Sequence, residues 1–410
     1  MGGRLRGIAA VAALATAGVL APAAHGATVG WMPTLPVSQQ SWQMLSAFPD
    51  GTAFAFDRGS SAMTLWHSAN YGVAWDALTY LPAGSDTYLS VRFGSPEVGY
   101  AVDGMSLLRT TDGATTATSW KPLTKPSLPA HDWFFGHSLG VTGRTVAVGG
   151  ERMHPLHRGC NPPGGEDIWT SHDSGRHWLT AELPRNTYVG SIDYLDARLG
   201  VAVAYDMHDD PADTLGDCTQ EGDRTSLWVT HDGGRHFARA YRCGTAAEGN
   251  CWSAKFLTAS TLIAGRNNGT TVISRDGGRT FKEGPELGPS FGSTGTYQDA
   301  DFWVQGFDLA NQVVYATTKA GGAFRSTDFG RSWTREPSCD SAYSLGVGEV
   351  AAFDADRAIA GGPSCVATRI APPTAPVATD APAPTSRVDI VQRAPGQMRT
   401  IDDGRLRISR

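Results

Sequence analysis

The sequence has few charged residues and no basic stripe of the kind that binds nucleic acid. Charged side chains make up 18% of its 410 residues, the formal net charge is −6, and the pI is near 6.0. This balance argues against nucleic acid as a partner and is not acidic enough to point to a cationic one. Hydrophobic runs are scarce too, because only residues 8–20 form one, and that run is too short to cross a bilayer comfortably.

The first 26 residues have the features of a secretory signal peptide. Arg4 and Arg6 precede the Ala-rich run, and small residues follow it up to Gly26. No cysteine occurs before Cys160, so the lipid acceptor of a bacterial lipoprotein is missing. We therefore expect a secreted, extracellular protein without membrane insertion.

The chain also lacks the CxxC spacing that is typical of zinc sites and redox motifs. Its cysteines are even in number, and an exported chain meets an oxidising compartment. Three disulfides are therefore expected, for which the sequence permits about fifteen pairings. The cysteines are Cys160, Cys218, Cys243, Cys251, Cys339 and Cys365.

One short motif is repeated along the chain and indicates the architecture. Two weaker copies contain Asp112, with an insertion before Trp120, and Asn70 in place of the aspartate. The aspartate can accept backbone N–H groups across a turn, the glycine allows a positive φ, and the aromatic supplies buried area. Four copies read [Ser/Thr]-x-Asp-x-Gly-Arg-x-aromatic without gaps, and their aspartates, glycines and aromatics are Asp173, Gly175 and Trp178; Asp232, Gly234 and Phe237; Asp276, Gly278 and Phe281; and Asp328, Gly330 and Trp333.

A short apolar strand precedes each copy, and the pattern predicts four strands in a unit repeated about every 45 residues, as in a propeller blade. Seven such units are present, but the last one has neither the motif nor an outer strand. Residues 41–45 resemble the outer strands that begin at Ser119 and Ser332, so we expect them to complete this unit. The sequence therefore predicts an all-β, seven-bladed β-propeller of four-stranded antiparallel blades over residues 27–370, whose ring is closed by the N-terminal strand.

The motif copies resemble the Asp-box, or BNR, repeats of the sialidase-like superfamily, and this resemblance covers roughly residues 28–370. Their Gly-Gly-Arg sequences look most like the single-ring branch that includes the photosystem II assembly factors. The resemblance implies a seven-bladed, non-enzymatic propeller. Because sialidases, xyloglucan-cleaving hydrolases and sortilin receptors carry the same box, the repeat identifies a scaffold and leaves the function open.

The alternation of strand direction predicts that every repeated turn lies on one face of the ring. The two longest insertions, at residues 151–167 and 206–224, then lie on the opposite face. Disulfides in such loops hold a recognition surface in shape or serve stability alone. Cys160 and Cys218 lie in these two insertions, Cys243 and Cys251 lie in the connection from the fourth to the fifth blade, and Cys339 and Cys365 flank the last blade. We therefore pair Cys160 with Cys218, Cys243 with Cys251, and Cys339 with Cys365.

Aromatic and acidic residues stand where the inner strands begin, on the face opposite the repeated turns. Aromatics beside carboxylates resemble a sugar site, and the alternative is that the rings fill blade interfaces while the acids cap strand ends. The candidate ligand-binding residues are Trp133, Tyr188, Trp252 and Trp303, and the acids are Asp132, Asp299 and Asp301.

The sequence argues against catalysis, because it has no Phe/Tyr-Arg-Ile-Pro motif of the sialidases and no Gly-x-Ser-x-Gly motif. A glycoside hydrolase or lyase that uses the acids named above is the competing interpretation, although nothing fixes the carboxyl pair that it needs. No cofactor is predicted, and the alternative is a calcium ion at the loop from Asp206 to Asp217. This loop is rich in oxygen ligands but lacks the register of a calcium loop, which favours a solvated acidic loop. His154 and His157 would bind a metal only if a third ligand came from elsewhere in the chain.

Two segments follow the predicted ring. Residues 371–385 are rich in Pro, Ala and Thr and are typical of an extended linker. The basic tail, residues 386–410, favours disorder, with docking on the ring as an added strand as the alternative. The leading hypothesis is a secreted, non-catalytic propeller that recognises a protein or a glycan through the face opposite the repeated turns.

Overall fold

The computed structural model of the chain contains seven antiparallel sheets arranged as the blades of a β-propeller, and strands A to D of each blade run outward from the central channel. The predicted signal peptide and linker lie outside the described residues. The described residues are 30–36, 42–58, 63–78, 90–130, 132–153, 166–184, 187–206, 224–244, 249–287, 303–318, 322–336, 347–361, 365–370, 398–402 and 405–409.

Each blade has four strands, as predicted. Blades 1 to 4 consist, in the order A to D, of Trp42–Ala47, Ala53–Arg58, Met63–Ser68 and Asp76–Ala77; of Ser90–Phe93, Gly99–Asp103, Ser106–Thr110 and Lys121–Pro122; of Trp133–Thr142, Thr145–Met153, Glu166–Ser171 and Leu179–Glu182; and of Thr187–Tyr194, Gly200–Asp206, Arg224–Thr230 and Ala238–Arg242. Blades 5 to 7 consist of Cys251–Phe256, Leu262–Arg266, Thr271–Ser274 and Lys282–Glu283; of Val304–Ala310, Val313–Thr318, Ala323–Ser326 and Thr334–Glu336; and of Val350–Ala352, Ala358–Gly361, Cys365–Ile370 and Gly30–Pro36.

Two small elements complete the ring. Val347–Gly348 pairs in parallel with strand A of blade 1, and a single 3-10 turn, Ala117–Ser119, occupies the insertion before Trp120.

The core lies between the blades, because each sheet packs a face against each of its two neighbours. Strands B are buried along their whole length in blades 2, 5 and 6, as expected for strands covered on both faces. Phe54 of blade 1 and Phe93 of blade 2 stack with their ring planes 2° apart. Aromatic contacts of this kind fix one blade on the next and give the ring its geometry.

The strand that closes the ring is not the predicted one. Gly30–Pro36 pairs antiparallel with Cys365–Ile370 and is strand D of blade 7. Residues 42–47 form strand A of blade 1 instead, so the prediction that residues 41–45 close the ring is wrong. The Ser-Trp pair marks an outer strand only where a repeated turn precedes it, and no such turn precedes Ser41.

The closing strand is anchored by one aromatic side chain. Trp31 is 7% exposed and packs edge-on against Tyr315 of blade 6 at a ring distance of 6.2 Å. Its indole Nε1 donates to Glu336 Oε2 at 2.9 Å. The contacts of Trp31 therefore join blade 7 to blade 6 through the most N-terminal described strand.

The chain divides into two units, and the second one, Pro372–Arg410, contains a hairpin of Met398–Asp402 and Arg405–Ser409. This hairpin lies within the basic tail, residues 386–410. An Asp-Gly pair at positions 403 and 404 separates the two strands in the sequence, and this is a strong hairpin signal. Among the described residues, no helix is long and apolar enough to cross a membrane.

Candidate functional site

The repeated motif forms a hydrogen-bonded turn between strands C and D. The Ser274 hydroxyl donates to Asp276 Oδ1 and accepts the Gly278 N–H, both at 2.8 Å. Asp276 Oδ1 also accepts the N–H groups of Arg279 and Thr280 at 3.0 and 2.9 Å. The two hydroxyl contacts recur in the copies around Asn70, Asp112, Asp173, Asp232 and Asp328.

The residue before the closing aromatic, which the motif leaves variable, is a side-chain donor in five copies. These donors bind the second carboxylate oxygen of the turn aspartate at 2.5 to 2.9 Å and are Ser119, His177, His236, Thr280 and Ser332. Together with the backbone N–H groups, they hold the pKa of Asp173 and Asp276 well below the usual range. The turn aspartates are thus engaged in structural contacts.

Repeated turns lie beside A–B turns, as the strand alternation predicts. In five copies, a backbone N–H of the repeated turn donates to an A–B turn carbonyl at 2.8 to 3.0 Å, in the pairs Tyr71–Gly51, Gly113–Glu97, Ser174–Arg144, Gly233–Arg198 and Gly277–Ser260. We call this side of the ring the turn face. The opposite side, where strands A begin, is the mouth face.

A cavity of about 650 Å³ follows the axis of the ring and is lined by strands A of all seven blades. Its lining runs from Tyr188 and Trp252 at the mouth face to Phe48 and Gly143 at the turn face. The cavity is large enough for an amino-acid side chain with several waters, and we call it the channel.

Charged residues line the part of the channel nearer the turn face, and three of them form a triad across blades 4 to 6. Lys255 Nζ lies 3.3 Å from Asp193 Oδ1 and 3.4 Å from Asp308 Oδ1. Withdrawal from bulk water raises the pKa of Asp193 above its usual range, since Lys255 offsets only part of that effect. Burial acts to lower the pKa of Lys255, but the two carboxylates outweigh it and raise that pKa.

A second ion pair joins blades 2 and 7 along the channel wall beside blade 1. Arg92 of blade 2 donates through Nη2 to Glu349 Oε1 beside blade 7, and Glu349 Oε2 accepts the Leu45 N–H of blade 1 at 3.2 Å. The sequence alone does not single out these channel residues, although charged residues recur at a similar position in several inner strands. A charged residue occupies the second-last or third-last position of strand A in four blades, as Arg92, Asp193, Lys255 and Asp308.

Aromatic rings form a continuous band at the mouth face across blades 3 to 6. Successive ring centroids are 4.3, 6.0, 6.2 and 4.6 Å apart. Tyr188, Trp252 and Trp303 are each partly exposed, so the band presents ring surface to solvent. We define the aromatic band as His137, Tyr188, Tyr205, Trp252 and Trp303.

A buried hydrogen bond sets the orientation of the first ring in the band. His137 Nε2 lies 2.7 Å from Glu166 Oε1, and both side chains are almost completely buried. Glu166 Oε2 accepts the backbone N–H of Val189, next to Tyr188. The Tyr188 ring stacks on His137 with the planes 4° apart. Because His137 is fixed by Glu166, the Tyr188 ring is held at the edge of the channel.

One buried amide beneath the band has no partner. Gln305 is 6% exposed, lines the channel and sits at a bulge where strand A of blade 6 shifts register. Neither its Oε1 nor its Nε2 has a hydrogen-bond partner within the described part of the chain. An unpaired buried amide is costly, so this side chain points to a ligand group that would satisfy it.

The structure brings three of the four candidate ligand-binding residues together. Tyr188, Trp252 and Trp303 belong to the aromatic band, whereas the side chain of Trp133 lies outside the described residues. Asp132 does not join them, because it lines a separate hollow of about 350 Å³ beside Lys125. Asp299 and Asp301 also lie outside the described residues.

One predicted disulfide is present on the mouth face. Cys243 and Cys251 form a disulfide with a Cα–Cα distance of 5.8 Å, and it joins strand D of blade 4 to strand A of blade 5. Cys160, Cys218 and Cys339 and the side chain of Cys365 lie outside the described residues, as do His154, His157 and residues 207–217 of the acidic loop. Among the described residues, no cluster of three or more His, Cys, Asp or Glu side chains is arranged to bind a metal ion.

Known proteins resemble this chain in fold rather than in sequence. No family model matches it, and no curated protein sequence matches it. The solved structure of YCF48 bound to D1 peptide has 16% identity and a TM-score of 0.51, over 84% of this chain and 96% of that one. YCF48 from Cyanidioschyzon merolae has 12% identity and a TM-score of 0.52, over 84% and 100%. These similarities support the propeller fold.

Proposed function

We propose that this chain is an exported, non-catalytic β-propeller that binds a segment of a partner protein at its mouth face. The observation that carries the proposal is the aromatic band, which offers partly exposed Tyr and Trp rings across blades 4 to 6 beside an open channel. Such side chains give a large, rigid contact area at a low entropic cost and dominate many protein interfaces.

A similar structure supports a peptide as the ligand. YCF48 bound to D1 peptide is a propeller of the same fold that holds a peptide. We extend peptide binding to this chain, and we propose that its repeated turns are Asp boxes of the sialidase-like superfamily, in the non-enzymatic branch. Export is supported by the signal-peptide pattern of residues 1–26 and by the disulfide, which suits an oxidising compartment.

The engagement of the channel acids supports a role without catalysis. A glycoside hydrolase needs two carboxyl groups placed on either side of a bond. In the described part of the channel, Asp193 and Asp308 both bind Lys255, and Glu349 binds Arg92. Each of these carboxylates is thus paired with a cation of the protein itself rather than directed at a substrate.

The test is selection of a displayed random-peptide library on the purified protein, with a glycan array in parallel. We expect the selected peptides to bind the Trp252→Leu and Trp303→Leu variants at least tenfold more weakly than the wild type. Trp333→Leu is the matched control, because Trp333 is a half-buried indole in a repeated turn on the turn face. Equal loss in all three variants, or binding to glycans alone, would contradict the proposal.

A further inference from the structure

The channel has one more acidic side chain than basic ones. Apart from His137 and the phenols of Tyr188 and Tyr205, its described ionisable side chains are two bases, Arg92 and Lys255, and three acids, Asp193, Asp308 and Glu349. Both cations are already paired with carboxylates. A group of opposite charge that enters from the mouth face would therefore meet a complementary field in a confined space where screening is weak.

The rings above these charges suit a flat cation. Tyr188, Trp252 and Trp303 stand at the mouth face, and the faces of Trp and Tyr rings attract cations. A guanidinium group is planar and weakly hydrated, and it stacks on aromatic rings, whereas a lysine ammonium is a compact and strongly hydrated charge. Ring geometry and charge thus favour arginine over lysine.

Gln305 supplies the polar contact that such a ligand requires. Its two amide atoms are buried at the channel wall and have no partner in the described part of the chain. The Oε1 atom can accept an N–H of a guanidinium group, and Nε2 can donate to a peptide carbonyl of the same residue. An arginine residue would satisfy both.

We infer that the channel binds the side chain of an arginine residue in the partner segment, between the aromatic band and the charged residues below it. This inference rests on the proposed function and specifies its ligand. The guanidinium group stacks on Trp252 and Trp303 and is attracted electrostatically by the acidic side chains of the channel. It also donates a hydrogen bond to Gln305 Oε1.

The probes are N-acetyl-arginine amide and N-acetyl-citrulline amide, which differ in charge but hardly in shape. We expect calorimetric titration of the wild-type protein at pH 7.5 to give at least tenfold weaker binding of the citrulline compound. N-acetyl-lysine amide should bind severalfold more weakly than the arginine compound, and added salt should weaken binding of both cations. Equal binding of the arginine and citrulline compounds, or no binding of the arginine compound, would overturn the inference.

Two glutamate variants separate the channel from the overall charge. Glu349→Gln removes one negative charge from the channel and should weaken binding of the arginine compound at least fivefold. Glu97→Gln makes the same change in net charge at an A–B turn on the turn face and should leave binding unchanged. Gln305→Leu should also weaken binding, and urea unfolding of each variant shows whether the ring is intact. If the two glutamate variants behave alike, the channel is not the site.

The two proposals can fail separately. If peptides selected on the wild type depend on Trp252 and Trp303 but contain no arginine, and the arginine compound does not bind, the arginine inference falls and the proposed function stands. If neither the peptides nor the arginine compound depends on these tryptophans, both fall.

Discussion

At the scale of single residues, five of the six repeated turns place a glycine in the left-handed region, and the copy around Asp112 places Ala114 there at a φ of +56°. Gly234 and Gly278 have φ values of +84° and +87°, in the left-handed region that L side chains avoid. Their surroundings differ. A Cβ on Gly234 would lie 2.4 Å from Thr170 Oγ1 and 2.5 Å from the Tyr194 hydroxyl, whereas a Cβ on Gly278 would come no nearer than 3.3 Å to a neighbour.

This difference predicts unequal effects of the same substitution. Gly278→Ala should lower the free energy of unfolding by about 1 to 2 kcal/mol through its backbone conformation alone. Gly234→Ala should cost roughly 1 to 3 kcal/mol more, because the new methyl group displaces Thr170 and Tyr194, which are hydrogen-bonded at 2.9 Å. Urea unfolding of both variants measures the difference. Equal losses in the free energy of unfolding would show that Thr170 and Tyr194 move aside without cost.

The turn aspartates predict a loss of stability in acid. Burial acts to raise the pKa of Asp232 and Asp328, but hydrogen bonds from His236 and Ser332 prevail and lower both values to about 2. An aspartate in the unfolded chain has a pKa of about 3.9. A lowered folded pKa contributes stability that is present above about pH 4 and is lost as the pH falls toward 2. Unfolding midpoints should therefore fall through this window.

Asp232→Asn is the matched variant for this prediction. Asparagine keeps an oxygen acceptor but does not titrate, and Asn70 already accepts the Ala74 N–H at 2.9 Å in the first copy. The variant should be less stable than the wild type at pH 7, and its midpoint should decline less between pH 4 and pH 2. Parallel curves for the two proteins would show that this turn does not contribute.

At the scale of elements, the disulfide fixes the connection from blade 4 to blade 5 beside the aromatic band. Cys243 and Cys251 are eight positions apart, and both side chains are buried. Trp252 follows Cys251 directly, at a bulge of strand A. The disulfide thus holds the backbone from which one ring of the band projects.

Replacing both cysteines with alanine tests this connection. A short closed loop of this length predicts a loss of roughly 2 to 3 kcal/mol in the free energy of unfolding, measured in urea. Peptides selected on the wild type should bind the variant more weakly, since Trp252 loses its support. Unchanged stability together with unchanged binding would show that the strands alone fix the connection.

At the scale of the whole molecule, the ring is closed by the pairing of Gly30–Pro36 with Cys365–Ile370. An open ring would leave the outer edge of strand Cys365–Ile370 unpaired, and such edges promote association. Closure also brings strands A of distant blades around one channel. The channel and its charges therefore depend on this N-terminal strand.

Substitutions at two neighbouring residues of the closing strand should differ strongly in their effect on the free energy of unfolding. Trp31→Ala should lower the free energy of unfolding by about 3 to 5 kcal/mol, because it removes a buried indole that binds Glu336 and contacts Tyr315. Met32→Ala should change it by less than about 0.5 kcal/mol, since Met32 is 50% exposed. Urea unfolding checks both, and similar losses would mean that closure does not depend on the tryptophan.

The sequence by itself determined the blade count and the form of the repeated turns. Each turn forms within about eight residues, because its hydroxyl, carboxylate and glycine make their contacts within the same copy of the motif. Tyr188, Trp252 and Trp303 were also predictable as candidates, because the alternation of strands places the starts of strands A on one face.

Only the tertiary structure decided which strand closes the ring and which side chains meet in the channel. The outer-strand pattern of residues 41–45 resembled its neighbours, but hydrogen bonding to the last blade selected Gly30–Pro36. Asp193 and Lys255 are 62 positions apart and meet because the ring turns two inner strands toward one axis. A local sequence pattern does not predict contacts between residues so far apart in the chain, because these contacts form only when the ring closes.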